Sequence, residues 1–365
     1  MPSASTALRA TEPTEFAVIP ATSVPSTREL KDKARRLAVH CAAYRGALPV
    51  TAYWQLGSTL ALFAVVIALM FATVQTHYWL TLLLALPAGG ILVRLFIIQH
   101  DCGHGSFLKG RVANDIVGRL VSVLTVTPYE VWRREHAKHH ATSGNLEERG
   151  IGDIDTLTVR EYQQLTPLRK LWYRIYRNPI FLFGFGVPFY FMVLQRVPLD
   201  HPLPKRQAWA SVMALNFGML VLYATLAYFV GVWNLLFVAV PVIHVAAAVG
   251  GWLFYVQHQF DATHWDRPPD WDVQVAAVYG SSYYVLPPVL NWFTGNIGLH
   301  HIHHLNSMIP NYRLMACLKS SPDLQSLNRL TLWQSIKCVN YKLWDEDRRQ
   351  LVGFNDLNRQ TSSAA

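Results

Sequence analysis

Charge is scarce in this 365-residue chain, and the scarcity excludes several classes of protein. Asp, Glu, Lys and Arg make up 15% of the residues, whereas 52% are hydrophobic. Soluble domains usually carry about 25% charged residues, so the chain is neither an ordinary soluble globule nor a disordered one. The net charge of +9 does not indicate nucleic-acid binding, because basic residues beside long apolar runs are typical of the cytoplasmic loops of membrane proteins.

Several metal and redox motifs are also missing. The four cysteines have no CxxC spacing, which argues against a disulfide framework and against a zinc or iron–sulfur site. The sequence contains no Glu-x-x-His, so a carboxylate-bridged di-iron bundle of the ferritin type does not fit. It contains no His-Glu-x-x-His either, which argues against a zinc protease.

Two long runs without charge dominate the chain, at 46–93 and 209–257. A membrane-spanning helix needs about 20 apolar residues, so each run is long enough for two spans joined by a short turn. Tyr and Trp residues stand at the expected ends of the spans, as in an interfacial aromatic belt. We therefore predict two helical hairpins, with spans at about 53–72, 78–98, 209–228 and 233–255 and turns at 74–77 and 229–233.

The distribution of Lys and Arg predicts the orientation. Both turns lack charge, and positive residues favour the cytoplasm, so both termini, region 101–206 and the chain after 257 are expected on the cytoplasmic side. Segment 178–195 is uncharged but barely long enough to span, and it contains Gly and Pro. We predict that it is interfacial or partly embedded, as is 116–132. If 178–195 crossed the membrane, the second hairpin would be inverted.

The sequence thus predicts an all-α polytopic membrane protein, with four transmembrane helices in two hairpins and a cytoplasmic helical cap. Residues 1–25 are expected to form a disordered tail, 26–345 the main domain, and 346–365 a C-terminal tail. An amphipathic helix is predicted just after the N-terminal tail. Its apolar face suits packing on the protein and lying on lipid equally well, and it comprises Leu30, Ala34, Leu37 and Cys41.

Histidine is unusually frequent, with 15 residues, and it concentrates in three short clusters. Positions three or four apart share one face of a helix, so each cluster can aim two or three imidazoles at one point. Neutral imidazole is a ligand for iron, zinc, copper and nickel, and eight such ligands exceed the needs of one ion. We therefore predict two metal ions, held by His100, His104, His136, His139, His140, His300, His303 and His304.

Three further histidines need separate treatment. His258 follows the fourth span as His100 follows the second, so we predict that it is a ninth ligand. The alternative is that it caps the span or bonds a backbone carbonyl. His264, in an acidic and proline-bearing loop, is predicted not to be a ligand. The same holds for His301, which a helix rotates by about 100° away from His300.

The order HxxxH, HxxHH, HxxHH between two apolar hairpins resembles the membrane fatty acid desaturases, and bacterial acyl-lipid desaturases most of all. The similarity covers roughly residues 50–345. It lies in HDCGHGSF at 100–107, HAKHHATSGNLEERGIGDIDTLTVREY at 136–162, FYVQHQFDATHW at 254–265 and NWFTGNIGLHHIHHLNSMIPNY at 291–312.

This resemblance implies a non-haem centre of two iron ions on the cytoplasmic face, held by the eight histidines of the boxes. His258 stands where the family often has one more ligand. The implied reaction inserts a cis double bond into an acyl chain of a membrane lipid with O2 and two electrons. The sequence has no His-Pro-Gly-Gly motif of a fused cytochrome b5, so a separate ferredoxin or cytochrome b5, with its reductase, is expected to supply electrons.

Other side chains are candidates for supporting roles. Imidazole ligands usually donate their second ring N–H to a carboxylate or carbonyl, and five residues are candidates for that partner, with loop solvation or capping as the alternative: Asp101, Glu135, Asp153, Asp155 and Asn296. Asn296 alone is placed by spacing, four residues before His300. Trp252, Phe254 and Tyr255 are candidates for lining an acyl channel, with ordinary helix packing as the alternative.

Two other functions remain open on sequence alone. A hydroxylase, ketolase or alkane oxygenase of the same superfamily would use the same iron chemistry. A histidine-rich metal transporter would place ionisable residues in the middle of its spans, where only His244 lies in this chain.

Overall fold

The computed structural model describes residues 27–150, 152–199 and 201–357, so the predicted tail at 1–25 lies outside the described residues. The protein is mostly helical. The α-helices are α1 Thr27–Ala42, α2 Pro49–Thr73, α3 Tyr78–His104, α4 Arg111–Thr125, α5 Tyr129–Thr142, α6 Val159–Gln164, α7 Pro167–Tyr176, α8 Pro179–Phe181, α9 Val187–Met192, α10 Lys205–Val230, α11 Val232–His258, α12 Val273–Tyr279, α13 Pro288–Phe293, α14 His300–Leu305, α15 Asn311–Lys319, α16 Pro322–Ser326 and α17 Leu332–Lys337.

The two predicted hairpins are present as α2–α3 and α10–α11. Each helix is longer than the sequence indicated, and α3 and α11 continue through His104 and His258 instead of ending before the histidines. Helices α3 and α11 pack closely, since a Cβ atom on Gly89 would lie 2.5 Å from Cγ1 of Val245. His100, His104 and His258 therefore lie on the two closely packed helices α3 and α11.

Within the described residues, five helical segments are long and apolar enough to cross a membrane: Pro49–Thr73, Tyr78–His104, Pro179–Arg196, Lys205–Val230 and Val232–His258. The third is the segment that the sequence predicted to be only partly embedded. It is irregular, with a π-helix at Leu182–Gly186 between α8 and α9 and a 3-10 helix at Leu194–Arg196.

The helical part of this irregular segment, through Phe191, packs near the histidine-bearing ends of α3 and α11. Phe183 packs against Tyr255 with ring centroids 5.5 Å apart, and Val187 lies beside Gly251. Further along, Phe191 packs edge-on against Phe96, with centroids 6.2 Å apart. These partners fall within the last two to three turns of α3 and α11, whereas Arg196, at the end of the segment, bonds Asn216 about halfway along α10.

Helix α1 packs on the cap, which decides between the two roles open to its apolar face. Its buried residues Ala34, Leu37 and Cys41 form one core with the described cap helices, together with Ile302 of α14 and Leu314 of α15. The face is therefore covered by protein.

Short strands complete the cap and lie outside the expected all-α pattern. Strands β1 (Tyr283–Val285) and β2 (Arg329–Thr331) pair in parallel, and β3 (Leu343–Asp345) pairs antiparallel with β4 (Gln350–Val352). The predicted domain boundary at 345 falls between β3 and β4, and these two strands pair with each other. A last 3-10 helix spans Cys338–Asn340.

Candidate metal centre

The nine histidines predicted as ligands form two groups inside the cap, each compact enough to hold a metal ion. The first group is His100, His104, His136, His140 and His303, and the second is His139, His258, His300 and His304. In each group, one nitrogen per residue lies within 4.8 Å of all the others.

The two HxxHH clusters each divide between the groups. In α5, His136 and His140 are four residues apart and share the first group, whereas His139 points to the second. In α14, His300 and His304 share the second group, whereas His303 points to the first. A residue three positions on is rotated by about 60° from its starting point and a residue four positions on by about 40° the other way. The helices α5 and α14 therefore each supply both groups.

The spacing of the ring nitrogens fits a metal ion. His140 Nε2 lies 3.1 Å from Nε2 of His136 and 3.0 Å from Nε2 of His303. In the second group, His258 Nε2 lies 3.1 Å from Nε2 of His139 and 3.0 Å from Nε2 of His300. Imidazole nitrogens bound about 2.1 Å from one ion are about 3.0 Å apart at right angles and about 3.4 Å apart in a tetrahedron.

The protonation of the rings also suits metal binding. Burial, reinforced by the neighbouring imidazoles, holds the pKa of His136, His140 and His303 well below the ordinary value. The same causes lower the pKa of His300 and His304. These lowered pKa values favour the neutral form of the five rings, which is the form that binds metals.

Two of the predicted positioning carboxylates contact histidines. Asp101 accepts a hydrogen bond from Nδ1 of His100 at 2.9 Å, which leaves Nε2 of that ring free toward the first group. Asp153 Oδ1 lies 2.5 Å from Nδ1 of His139. Burial opposes ionisation of Asp153, but the adjacent His139 imidazole prevails and the pKa of the carboxyl lies below its usual value. Each group thus has one carboxylate that orients a ring.

The prediction for Asn296 is wrong in this structure. Its side chain donates to the carbonyl of Asn311 at 3.4 Å, and its backbone has a positive φ of 59°. Helix α14 begins only at His300, so helical spacing does not apply between Asn296 and His300. Among the described residues, Glu135 and Asp155 form no hydrogen bond with an imidazole, and burial raises the pKa of Glu135 to about 7.

The remaining histidines are placed as predicted. His258 donates from Nδ1 to the Gly280 carbonyl at 3.2 Å while its Nε2 faces the second group, so the carbonyl bond is present and the role as a ligand stays a prediction. His301 turns away and bonds the carbonyl of Leu324 at 3.0 Å. His264 lies 2.7 Å from a carboxylate oxygen of Asp266, outside both groups.

Comparison with known proteins agrees with this architecture. A sequence model described as "Fatty acid desaturase" matches residues 76–334. The chain belongs to the fatty acid desaturase family. It is 40% identical to the Bacillus subtilis protein named "Fatty acid desaturase" over 289 residues, 79% of this chain and 82% of the relative. Its histidine groups and apolar helices are thus those of a membrane oxidoreductase.

More distant relatives have more specific names. The chain is 27% identical to the Synechocystis protein named "sn-1 acyl-lipid omega-3 desaturase (ferredoxin)", over 68% of this chain and 70% of the relative. It is 26% identical to the Synechocystis "sn-1 oleoyl-lipid 12-desaturase", over 62% and 64%. These similarities favour desaturation over the transporter and the other oxygenases.

Sequence reasoning missed two partners of the desaturase site. Asn311 donates to Asp101 Oδ2 from its backbone N–H at 2.7 Å and from its side-chain amide at 2.8 Å. The Gly280 carbonyl fixes the ring of His258. Asn311 lies in the NSMIPNY segment after the last histidine cluster, but no spacing rule connects it with a residue 210 positions earlier.

A small cavity lies beside the second histidine group of the desaturase. It measures about 30 Å³ and is bordered by His258, Asp153, Phe254 and Tyr255, among others, which leaves space for about two water molecules. Trp252, the third residue predicted to line a channel, instead places its indole N–H 3.4 Å from the Tyr284 hydroxyl. Phe254 also packs against the rings of His139 and His258, so an aromatic wall adjoins this group.

Proposed function

We propose that the protein is an integral membrane acyl-lipid desaturase that inserts a cis double bond into an acyl chain of a membrane lipid, with O2 and two electrons. The observation that carries the proposal is the convergence of nine histidines in two groups at the ends of apolar hairpins. Relatives named acyl-lipid desaturases support the choice of substrate.

We assign two non-haem iron ions to the groups, with His100, His104, His136, His140 and His303 holding one and His139, His258, His300 and His304 the other. When bound, iron with O2 supplies the power to oxidise an unactivated methylene, which no side chain has. The two groups offer nine imidazole nitrogens as donors, and neither group includes a carboxylate.

The surrounding residues orient and cover the rings. Asp101 accepts a hydrogen bond from Nδ1 of His100, and Asp153 Oδ1 lies beside Nδ1 of His139. Contacts of this kind hold the Nε2 of each ring toward the metal position. The indole of Trp132 stacks on His136 with centroids 4.7 Å apart, and Phe254 covers His139 and His258. These aromatic rings cover His136, His139 and His258.

We propose that four helices cross the bilayer and that Pro179–Arg196 is embedded without crossing. The beginning of α10 supports this arrangement: Ala208 and Val212 pack on Val131 of α5, the helix that carries the second histidine cluster. The chain is therefore at the histidine-bearing end both before and after this segment. The distribution of Lys and Arg supports a cytoplasmic location for that end, and a bacterial cytoplasmic membrane is the expected location.

The proposed electron donor is a separate ferredoxin, or cytochrome b5, with its reductase. Relatives from Synechocystis and Nostoc carry "ferredoxin" in their names. Reduced ferredoxin and reduced cytochrome b5 can each be supplied to the purified protein in turn, and the donor that supports turnover identifies the partner class.

Lipid analysis tests the function. The protein is expressed in a host without desaturases, and the acyl chains of its lipids are examined by mass spectrometry. A loss of two hydrogens is expected, whereas gain of one oxygen would indicate a hydroxylase. A His303→Ala variant should give no product, while His264→Ala, which alters a histidine outside both groups, should retain activity. Saturated lipids alone, with iron-loaded protein in the membrane, would contradict the proposal.

A further inference from the structure

A buried arginine next to the second histidine group is unexplained by metal ligation. Arg177 follows α7 and is 1% exposed. Its guanidinium has five neutral oxygen acceptors, at 2.6–3.3 Å: the Asp155 carbonyl, Thr156 Oγ1, the Tyr255 hydroxyl, Gln259 Oε1 and the Tyr341 carbonyl. Burying a cation is costly unless its donors are satisfied, and Nη1 and Nη2 make all five of these bonds, while Nε has no hydrogen-bond partner among the described residues.

The acceptors belong to three separate parts of the chain. Asp155 and Thr156 lie in the loop whose Asp153 contacts His139. Tyr255 and Gln259 lie on either side of His258 at the end of α11. The guanidinium therefore connects the two segments that bring Asp153 and His258 to the same metal position.

Aromatic rings and geometry make arginine specific for this position. The guanidinium carbon lies 5.5 Å from the ring centre of Tyr255 and 5.9 Å from that of Tyr173, which favours a cation that has lost its water. A lysine would keep the charge, but its ammonium has three donors and no planar fork. It could not bond the loop, α11 and the Tyr341 carbonyl together.

We propose that Arg177 is a positioning residue for the second histidine group. It holds the 153–156 loop against the end of α11, and so keeps Asp153 on His139 and His258 in the ligand set. This inference rests on the proposed function, because it assumes that the second group binds a metal ion. It also implies that the 153–156 loop is held in place in the metal-free protein.

The test compares Arg177→Lys with a matched control, Arg174→Lys. Arg174 lies three residues earlier, in α7, but it donates to the Tyr162 hydroxyl at 2.7 Å and lies over the Phe354 ring. Iron per chain is measured after dialysis against graded chelator, and amide hydrogen exchange is measured on metal-free protein. For Arg177→Lys we expect a 10- to 100-fold weaker second site, an unchanged first site, and faster exchange at Asp155 and Gln259. For Arg174→Lys we expect wild-type values.

The outcomes separate this inference from the proposed function. Two equally tight metal sites in Arg177→Lys, or equal weakening of both sites with faster exchange throughout the protein, would overturn the positioning role. If the wild type does not bind two metal ions, the proposed function fails. The exchange data then decide the inference alone: unchanged exchange at Asp155 and Gln259 overturns it, and faster exchange confined to the loop and the end of α11 supports it.

Discussion

Replacing Asp101 by Asn should weaken metal binding at the first histidine group and leave the second group intact. The carboxylate of Asp101 is 1% exposed and accepts three hydrogen bonds, from His100 Nδ1 at 2.9 Å and from Asn311 at 2.7 and 2.8 Å. All three partners are donors. Asn offers one acceptor oxygen and adds two N–H donors, so at least one buried donor must face another donor.

The size of the effect follows from that unpaired donor. A buried donor without a partner costs about 1–3 kcal/mol, and about 1.4 kcal/mol changes a binding constant tenfold. Where the amide NH2 takes the place of Oδ1, no acceptor remains to fix the Nδ1-protonated form of His100. We therefore expect metal affinity at the first group to fall by roughly 10- to 100-fold, within the range found for residues that orient metal ligands.

The assay is iron content after equilibrium dialysis against chelators of increasing strength. Asp266→Asn is the matched control, because Asp266 also pairs with a histidine, His264, but outside both groups. Asp101→Asn should lose one iron at chelator concentrations at which the wild type and Asp266→Asn keep two. An Asp101→Asn protein with two ions held as tightly as in the wild type would refute the reasoning.

Three further predictions concern activity, packing and topology. His303→Ala should lower desaturation below about 1% of wild type while the protein still inserts; measurable double-bond formation by the purified variant would contradict its role as a ligand. Gly118→Ala should lower the stability of the protein in detergent by about 1–3 kcal/mol, because the new Cβ would lie 2.2 Å from a ring atom of Tyr129. Gly57→Ala is the control, because its new Cβ has open space. Equal melting temperatures of the two variants would argue against this packing. Gln75→Cys should react with an impermeant thiol reagent outside the cell and Lys205→Cys should not; outside labelling of Lys205→Cys would mean that Pro179–Arg196 crosses the membrane.

The sequence was informative about the helices and about which histidines meet. The runs 46–93 and 209–257 admit little besides apolar helices, so all four predicted span helices are present. It was less informative about how the histidines divide. The opposite assignment of His139 and His303 depends on how α5 and α14 face each other, and this is a tertiary relation that spacing along one helix does not determine.

Supporting residues were the hardest to predict, for a related reason. Asp101 and Asp153 adjoin rings of the two histidine groups, but Asn296 does not, because the chain has not yet become helical at that position. Asn311 and Arg177 act across 210 and 82 positions of sequence. Long-range hydrogen bonds of this kind have no local signature, so only the folded structure reveals them.

Anomalous diffraction at the iron edge from crystals of the purified protein tests the central claim most directly. We expect two iron peaks per chain, one within the group of His100, His104, His136, His140 and His303 and one within the group of His139, His258, His300 and His304. The iron–nitrogen distances should be about 2.0–2.3 Å, by analogy with other imidazole-bound metals. A single peak, a peak outside these groups, or a His258 ring that turns away from the second ion would contradict the account.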